Sequence, residues 1–223
     1  MSEAIPLDAL RPVHPVQVNR RTFLQSGAKT AVGVAAAVWG IHLRSGEAAQ
    51  PGAGDKPTML KPTPACGGDA PTLAQTEGPF YTPNTPERAR LLEPGVSGTR
   101  LVLSGRVWST DCQPITGARL DFWQADDDGV YDNTGYRLRG HQFTDATGHY
   151  RLETIIPGRY PGRTRHIHVR VQGRQTRLLT TQLYFPGERL NRRDGIFHPK
   201  LVVAMQEVSD GSRAAAFDFV LVS

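Results

Sequence analysis

The sequence predicts an all-β fold, an antiparallel β-sandwich with long loops, preceded by an export signal and a linker. Three observations carry that reading. Glycine and proline number 23 and 17 among 223 residues, a composition that works against long helices and suits short strands joined by turns. From residue 101 onward, short segments that alternate or stay apolar recur along the chain. Strings rich in Asp, Gly and Pro, the residues that supply turn conformations, lie between several of them.

Residues 1–49 read as an address. Asn19-Arg20-Arg21-Thr22-Phe23-Leu24 resembles a twin-arginine export signal, and an uncharged Ala- and Val-rich stretch at 30–43 follows it, too short to span a membrane comfortably. Gly27, Gly33 and Gly40 are poor helix residues and no polar face balances the run, which argues against a helix packed inside a domain. Gly46-Glu47-Ala48 offers a small-x-small cleavage site, while the neighbouring Arg44 leaves an uncleaved membrane anchor open. The expected location is periplasmic or extracellular. Signals of the type resembled carry folded proteins, so a cofactor can be loaded before export. Residues 50–70, rich in Pro, Gly, Ala and Thr, read as a flexible linker, and the folded domain is expected at 71–223.

Within that domain, strands are expected at 101–108, 118–123, 150–155, 166–171, 179–185 and 217–221. Asp111-Cys112-Gln113-Pro114, Asp126-Asp127-Asp128-Gly129 and Asp145-Ala146-Thr147-Gly148 are the turn strings. The arrangement suits an immunoglobulin- or prealbumin-like sandwich. Residues 85–92 suggest one or two helical turns, and 187–199 a loop or short helix. The chain shows no internal repeat.

The formal net charge is +5, yet Lys and Arg are scattered and no basic run is interleaved with aromatics, so a nucleic-acid surface is not indicated. The charge suits small anions at most. Cys66 and Cys112 could pair in an oxidising compartment, tying the linker to the turn after the first strand, or remain two free thiols.

The densest chemistry lies in Tyr160-Pro161-Gly162-Arg163-Thr164-Arg165-His166-Ile167-His168. On a strand, His166 and His168 point to one face while Ile167, Val169 and Val171 point to the other, so the two imidazoles can share an ion. A polar face touching solvent is the plain alternative. Tyr160 sits in a loop stiffened by Pro157 and Pro161 and freed by Gly158 and Gly162. Tyr131, His141, His149, His198 and several aspartates are further candidate ligands. A His-rich set with a carboxylate would suit zinc, copper or ferrous iron; two phenolates with two imidazoles would suit ferric iron, because phenolate is a hard donor and needs a strong Lewis acid to ionise near neutrality.

Several strings in order then carry a resemblance. They are Thr76-Glu77-Gly78-Pro79-Phe80-Tyr81, Phe122-Trp123-Gln124-Ala125-Asp126 with Gly129-Val130-Tyr131, Arg139-Gly140-His141-Gln142-Phe143-Thr144-Asp145 with Gly148-His149-Tyr150, Pro157-Gly158-Arg159-Tyr160-Pro161, and the segment 163–168. Together they resemble the intradiol ring-cleavage dioxygenases from about Pro71 to the C-terminus, closest to the protocatechuate dioxygenase branch and its exported relatives. The resemblance implies one non-haem Fe(3+) per chain, held by Tyr131, Tyr160, His166 and His168 with a solvent hydroxide as fifth ligand. It implies that a catechol chelates the iron, displacing the hydroxide and Tyr160, which take the substrate protons. Dioxygen then opens the ring between the hydroxyl-bearing carbons to a cis,cis-muconate-type diacid. Arg163 and Gln182 match the remaining catalytic positions, Arg163 as the charge beside the ring. Catechol and dioxygen are the implied partners. The segment with Thr76, Pro79, Phe80 and Tyr81 lies near the pocket mouth in that family.

Other residues carry plainer expectations. Trp108 and Trp123 read as core filling, and Asp194, His198, Arg189, Arg192 and Arg193 as decoration of a solvated loop. The acidic run 126–128 and the segment 132–139 flank Tyr131 and could reshape the pocket, leaving plain, carboxylated and bulkier catechols open. Typical catechol dioxygenases carry a helical N-terminal region for dimer contacts where this chain has signal and linker, which leaves a homo-oligomer open. Two rivals remain at this stage: an exported noncatalytic binding module, and a metal hydrolase using His166, His168 and a histidine such as His141.

Overall fold

The computed structural model describes residues 60, 61, 66 and 70–223, which fold as the expected all-β sandwich. Residues 1–49, read as an export signal, and most of 50–70, read as a linker, lie outside the described residues. The strands are β1 (Arg100–Ser109), β2 (Arg119–Trp123), β3 (Arg139–Phe143), β4 (His149–Ile155), β5 (His166–Gln172), β6 (Leu179–Tyr184), β7 (Ala204–Glu207), β8 (Arg213–Ala216) and β9 (Phe219–Leu221). One sheet runs β3-β2-β5-β6 and is antiparallel throughout. The other runs β4-β1-β8-β7, with β9 also on β1. In this second sheet β1 pairs with β8 and β9 in parallel, a departure from a wholly antiparallel sandwich. Asp218 bridges the break between β8 and β9: its carboxylate accepts from Arg106 N at 2.7 Å and from Trp108 Nε1 at 2.9 Å.

Alternation explains which faces meet. Leu101, Leu103 and Val107 of β1 and Tyr150 and Leu152 of β4 share a buried cluster with Leu120 and Phe122 of β2 and Ile167, Val169 and Val171 of β5. Phe122 and Tyr150 touch across the layers with ring centroids 5.9 Å apart, and Tyr150 Oη donates to Phe217 O at 2.8 Å. Each such apolar side chain contributes about 1.5–3 kcal/mol by burial. The core therefore claims only one face of the four-stranded sheet.

One expectation changes, and that for 187–199 holds. Residues 85–92 form no helix; they run extended, with Arg88 N donating to His141 O and Leu91 N to Glu153 O, both at 2.8 Å. Their peptide groups cover the open edges of β3 and β4, which satisfies both partners. The region 187–199 is mostly loop, with short 3-10 turns at Arg189–Arg192 and Pro199–Leu201. Cys66 and Cys112 form a disulfide with Cα atoms 5.6 Å apart, tying the start of the described chain to the β1–β2 turn.

Candidate metal centre

The outer face of the four-stranded sheet carries the candidate residues. His166, His168 and Arg170 alternate onto it from β5. Register sets Tyr184 beside His166, and Trp123 and Gln182 on either side of His168, with Arg139 beyond Trp123. Loops cover this face and bury His166 and His168 almost completely, at 3% and 1% exposed.

Two loops bring the phenols. Between β2 and β3, Asp126 Oδ1 accepts from Asp128 N at 3.1 Å and from Val130 N at 2.8 Å, a turn that presents Tyr131 inward. Asp132 accepts from the backbone of Thr134, Gly135 and Arg137, which holds its carboxyl down to about 2 and stiffens the chain just past Tyr131. Within the acidic run Asp126 thus builds the turn, and with Asp132 it also lines a cavity beside Tyr131. Between β4 and β5, the loop bearing Tyr160 presses backbone to backbone on the Tyr131 loop, with Gly158 N donating to Asp126 O at 2.6 Å. Glycine is required at this approach: a Cβ on Gly158 would stand 2.3 Å from Asp127 O, and one on Gly129, whose φ is +87°, 2.2 Å from Arg159 O.

The four residues then converge. His166 Nε2 lies 3.1 Å from His168 Nε2 and 3.4 Å from Tyr131 Oη. Ring centroids of Tyr160 lie 5.8 Å from those of both Tyr131 and His166. His166 Nδ1 meets Thr164 O at 2.7 Å and so bears the proton, which leaves Nε2 as a lone pair facing inward. Burial holds His166 at about 4 and His168 well below the usual imidazole range, so both rings are neutral at pH 7. Burial, with Tyr160 alongside, pushes the Tyr131 phenol well above its ordinary range.

Such a set fits a hard cation. The inward Nε2 of His166 faces only the Tyr131 phenol and the Nε2 of His168, and His168 Nδ1 has no hydrogen-bond partner. Among the described residues no group of three or more His, Cys, Asp or Glu is arranged to hold a metal, so a site on this face must draw on its phenols. Two imidazoles and two ionisable phenols suit ferric iron.

Arg163 is no surface arginine. Its side chain is 17% exposed, and every part of the guanidinium is held: Nε donates to Asp194 Oδ2 at 2.8 Å, Nη1 to Tyr160 Oη at 3.2 Å and Nη2 to Gln182 Oε1 at 2.6 Å. Burial works against its charge, but the Asp194 carboxylate more than restores it, so the guanidinium stays charged. Gln182 completes the frame through Nε2, which donates to Thr76 O at 2.9 Å.

All six residues singled out in the sequence, Tyr131, Tyr160, Arg163, His166, His168 and Gln182, therefore meet on one face. The remaining histidines among the described residues do not join them. His141 lies on β3, two strands from β5, with Nδ1 2.8 Å from Thr85 O. His149 belongs to the other sheet, and His198 caps a 3-10 turn by accepting from Lys200 N. Two contributors, Trp123 and Asp194, escaped the sequence reading, while Phe80 lies beside the site as the resemblance implies for its segment. Trp123 lies outside the inter-sheet core and stacks on His168 with centroids 4.8 Å apart and planes 8° apart. Phe80 stacks on Tyr131 at 4.5 Å. Asp194, expected on a solvated loop, is buried against Arg163. Only the aromatic pair at 122–123 hinted at Trp123, and a lone Asp before Gly195 reads as a turn.

The neutral histidines make the metal-free protein acid-sensitive. Unfolded His166 titrates near 6.5 but folded His166 near 4, so the unfolded chain binds the proton first. Stability is then fully present above pH 6.5 and falls between pH 6.5 and 4, by on the order of 3 kcal/mol for this one residue. Urea unfolding of metal-free protein at pH 7 and pH 4.5 should show the loss, and His166→Gln should shrink it. Equal stability at the two pH values would contradict the tautomer and burial described here.

With this geometry in place, similarity to known proteins is informative. The family described as Dioxygenase (Dioxygenase_C) matches residues 76–223. The solved dioxygenase domain of a dioxygenase and carbohydrate-binding protein fusion from the cellulolytic bacterium Streptomyces sp. SirexAA-E is 50% identical with a TM-score of 0.66, covering 68% of this chain and 98% of that one. A hydroxyquinol 1,2-dioxygenase from Rhizobium sp. (strain MTP-10005) is 30% identical over 64% of this chain and 58% of its own length. A catechol 1,2-dioxygenase from Acinetobacter baylyi is 30% identical over 69% of this chain and 60% of its own length. The chain thus spans about 60% of these two relatives.

Proposed function

The chain belongs to the intradiol ring-cleavage dioxygenase family, and from that premise we propose that it opens a catechol between its two hydroxyl-bearing carbons, inserting both atoms of dioxygen to give a cis,cis-muconate-type diacid. What supports this most is the meeting of two neutral imidazoles and two phenols beside a fully oriented guanidinium. The proposed cofactor is one ferric ion per chain on Tyr131, Tyr160, His166 and His168. When bound there, it supplies a Lewis acid and a template on which catechol and dioxygen meet.

The chain's own residues then have distinct tasks. Tyr160, on a loop and only half-buried, would be the metal-holding phenol most open to substrate, and its Oη, ionised with the ion bound, would be placed to take a proton from an incoming catechol hydroxyl. Arg163 faces the negative charge that builds on the opening ring, and its three hydrogen bonds mean that it need not reorganise to do so. Gln182 positions rather than reacts, because Oε1 accepts from Arg163 and Tyr184 while Nε2 donates to Thr76 O. Phe80, stacked on Tyr131 and edge-on to Tyr160, keeps water off the phenols.

The same proposal includes export by the twin-arginine signal at 1–49, with membrane contact only through an uncleaved signal. The Cys66–Cys112 disulfide suits an oxidising compartment outside the cytoplasm. Relatives named for catechol and hydroxyquinol make those two the first substrates to try. Iron-loaded protein given each under oxygen-18 gas should take up oxygen and yield the ring-opened diacid with one heavy atom on each new carboxyl group. Cleavage beside the diol, or no uptake with any catechol, would overturn the assignment.

A further inference from the structure

We propose that Asp194 is the positioning residue of this centre, a single carboxylate that fixes the Arg163 guanidinium and the backbone orienting His166 together. Its Oδ2 accepts from Arg163 Nε at 2.8 Å and from Thr164 N at 2.9 Å, while Oδ1 accepts from Ile196 N at 3.1 Å. Thr164 in turn offers its carbonyl to His166 Nδ1 at 2.7 Å, the bond that sets which imidazole nitrogen faces inward. One side chain thus reaches both the charge beside Tyr160 and the imidazole pair.

Its setting suits that task and no solvated one. The Asp194 side chain is 1% exposed, a place where a carboxylate persists only if its charge is matched, and the hydrogen bonds from Thr164 N, Arg163 and Ile196 N keep it ionised despite burial. The loop that carries it is itself closed, with Asp194 N donating to Leu190 O at 3.0 Å and Phe197 N to Asp194 O at 3.1 Å. Asn191, on the same loop, provides an internal comparison. It accepts from the Thr164 hydroxyl at 2.7 Å and donates to Phe185 O at 2.9 Å, bracing the same residue through contacts that exclude Arg163.

The catalytic consequence rests on the function proposed above; the clamp itself does not. In nitrogen-resolved spectra of the metal-free full chain, the Arg163 Nε–H signal, identified by its absence from Arg163→Gln, should be protected from exchange in wild type and in Asn191→Ala and lost in Asp194→Ala. In the iron-loaded protein, Asp194→Ala should lower kcat/KM roughly tenfold to a hundredfold when Arg163 is present but less than about threefold in the Arg163→Gln background. Asp194→Leu, which fills the buried volume and has no acceptor oxygen, carries both measurements should Asp194→Ala not fold. A protected signal that survives loss of the carboxylate, equal factors in both backgrounds, or the same coupling from Asn191→Ala would overturn the assignment. Absence of turnover in wild type would refute the function proposed for the chain, and the exchange measurement would still decide the clamp.

Discussion

Arg163→Gln should lower kcat of the iron-loaded protein on catechol by roughly 10²–10³ while its iron content stays near that of wild type. The guanidinium is not itself a candidate metal donor, so removing it keeps both imidazoles and both phenols, at the loss of one hydrogen bond to Tyr160 Oη. What disappears is a charge already fixed by Asp194, Tyr160 and Gln182 in a buried setting, where electrostatic stabilisation is strongest. The folded state also weakens, by roughly 2–4 kcal/mol, because Asp194 keeps its buried charge and loses its cation. An oxygen electrode and an iron assay on the same samples separate the two effects. A fall in kcat of less than about tenfold would mean that the arginine holds the loop and does little for the reaction.

Gly158→Ala should remove bound iron from a protein that still folds. The new methyl group would collide with Asp127 O and Gly129 N, both 2.3 Å away and both backbone, so neither can rotate aside. The loops must part, and with them Tyr131 and Tyr160, whose separation is set by this contact and by the bond from Gly158 N to Asp126 O. Overpacking of this kind costs about 1–3 kcal/mol, or roughly 5 °C in Tm for a domain of this size. Displacement of either phenol by an ångström costs far more at a metal, whose ligand distances tolerate about 0.2 Å. Circular dichroism close to wild type together with iron content below a tenth of wild type is the expected pair of results. Full iron occupancy would show that the phenols are positioned independently of this glycine contact.

Much of the site was legible because its residues lie close in the chain or in strong patterns. His166 and His168 declare themselves by alternation, and β5 does place both on the outer face. Tyr160 and Arg163 precede them within one loop. Tyr131 was reachable through the resemblance, since nothing in its immediate surroundings marks it as inward-facing. Gln182 is a polar residue at a buried position of β6, a pattern that suits a sheet residue as well as a site residue, and only the Arg163 bond decides it.

The illegible parts have physical causes. β3 reads Arg-Gly-His-Gln-Phe, poor in β-branched residues, because its outer side chains serve the loops: Arg139 donates to Phe80 O and to Asp132 O. β7 and β8, Ala-Met-Gln-Glu and Arg-Ala-Ala-Ala, carry weak strand propensity and are held by pairing to each other and to β1. Residues 85–92 resembled helical turns since local sequence does not reveal that two sheet edges wait for their peptide groups. Trp123 and Asp194 were assigned to core and solvent because burial on the outer face depends on loops whose path the sequence leaves open. Contacts that arise from loop docking are the ones that sequence periodicity cannot show.

The visible absorption spectrum of the iron-loaded full chain tests the ligand set most directly. Tyrosinate bound to ferric iron gives a charge-transfer band, so the purified protein should be burgundy. Tyr131→Phe and Tyr160→Phe should each shift or remove that band, and His141→Ala should leave it unchanged. A folded protein that binds ferric iron without colour, or whose colour depends on His141 and not on Tyr131, would contradict the site described here.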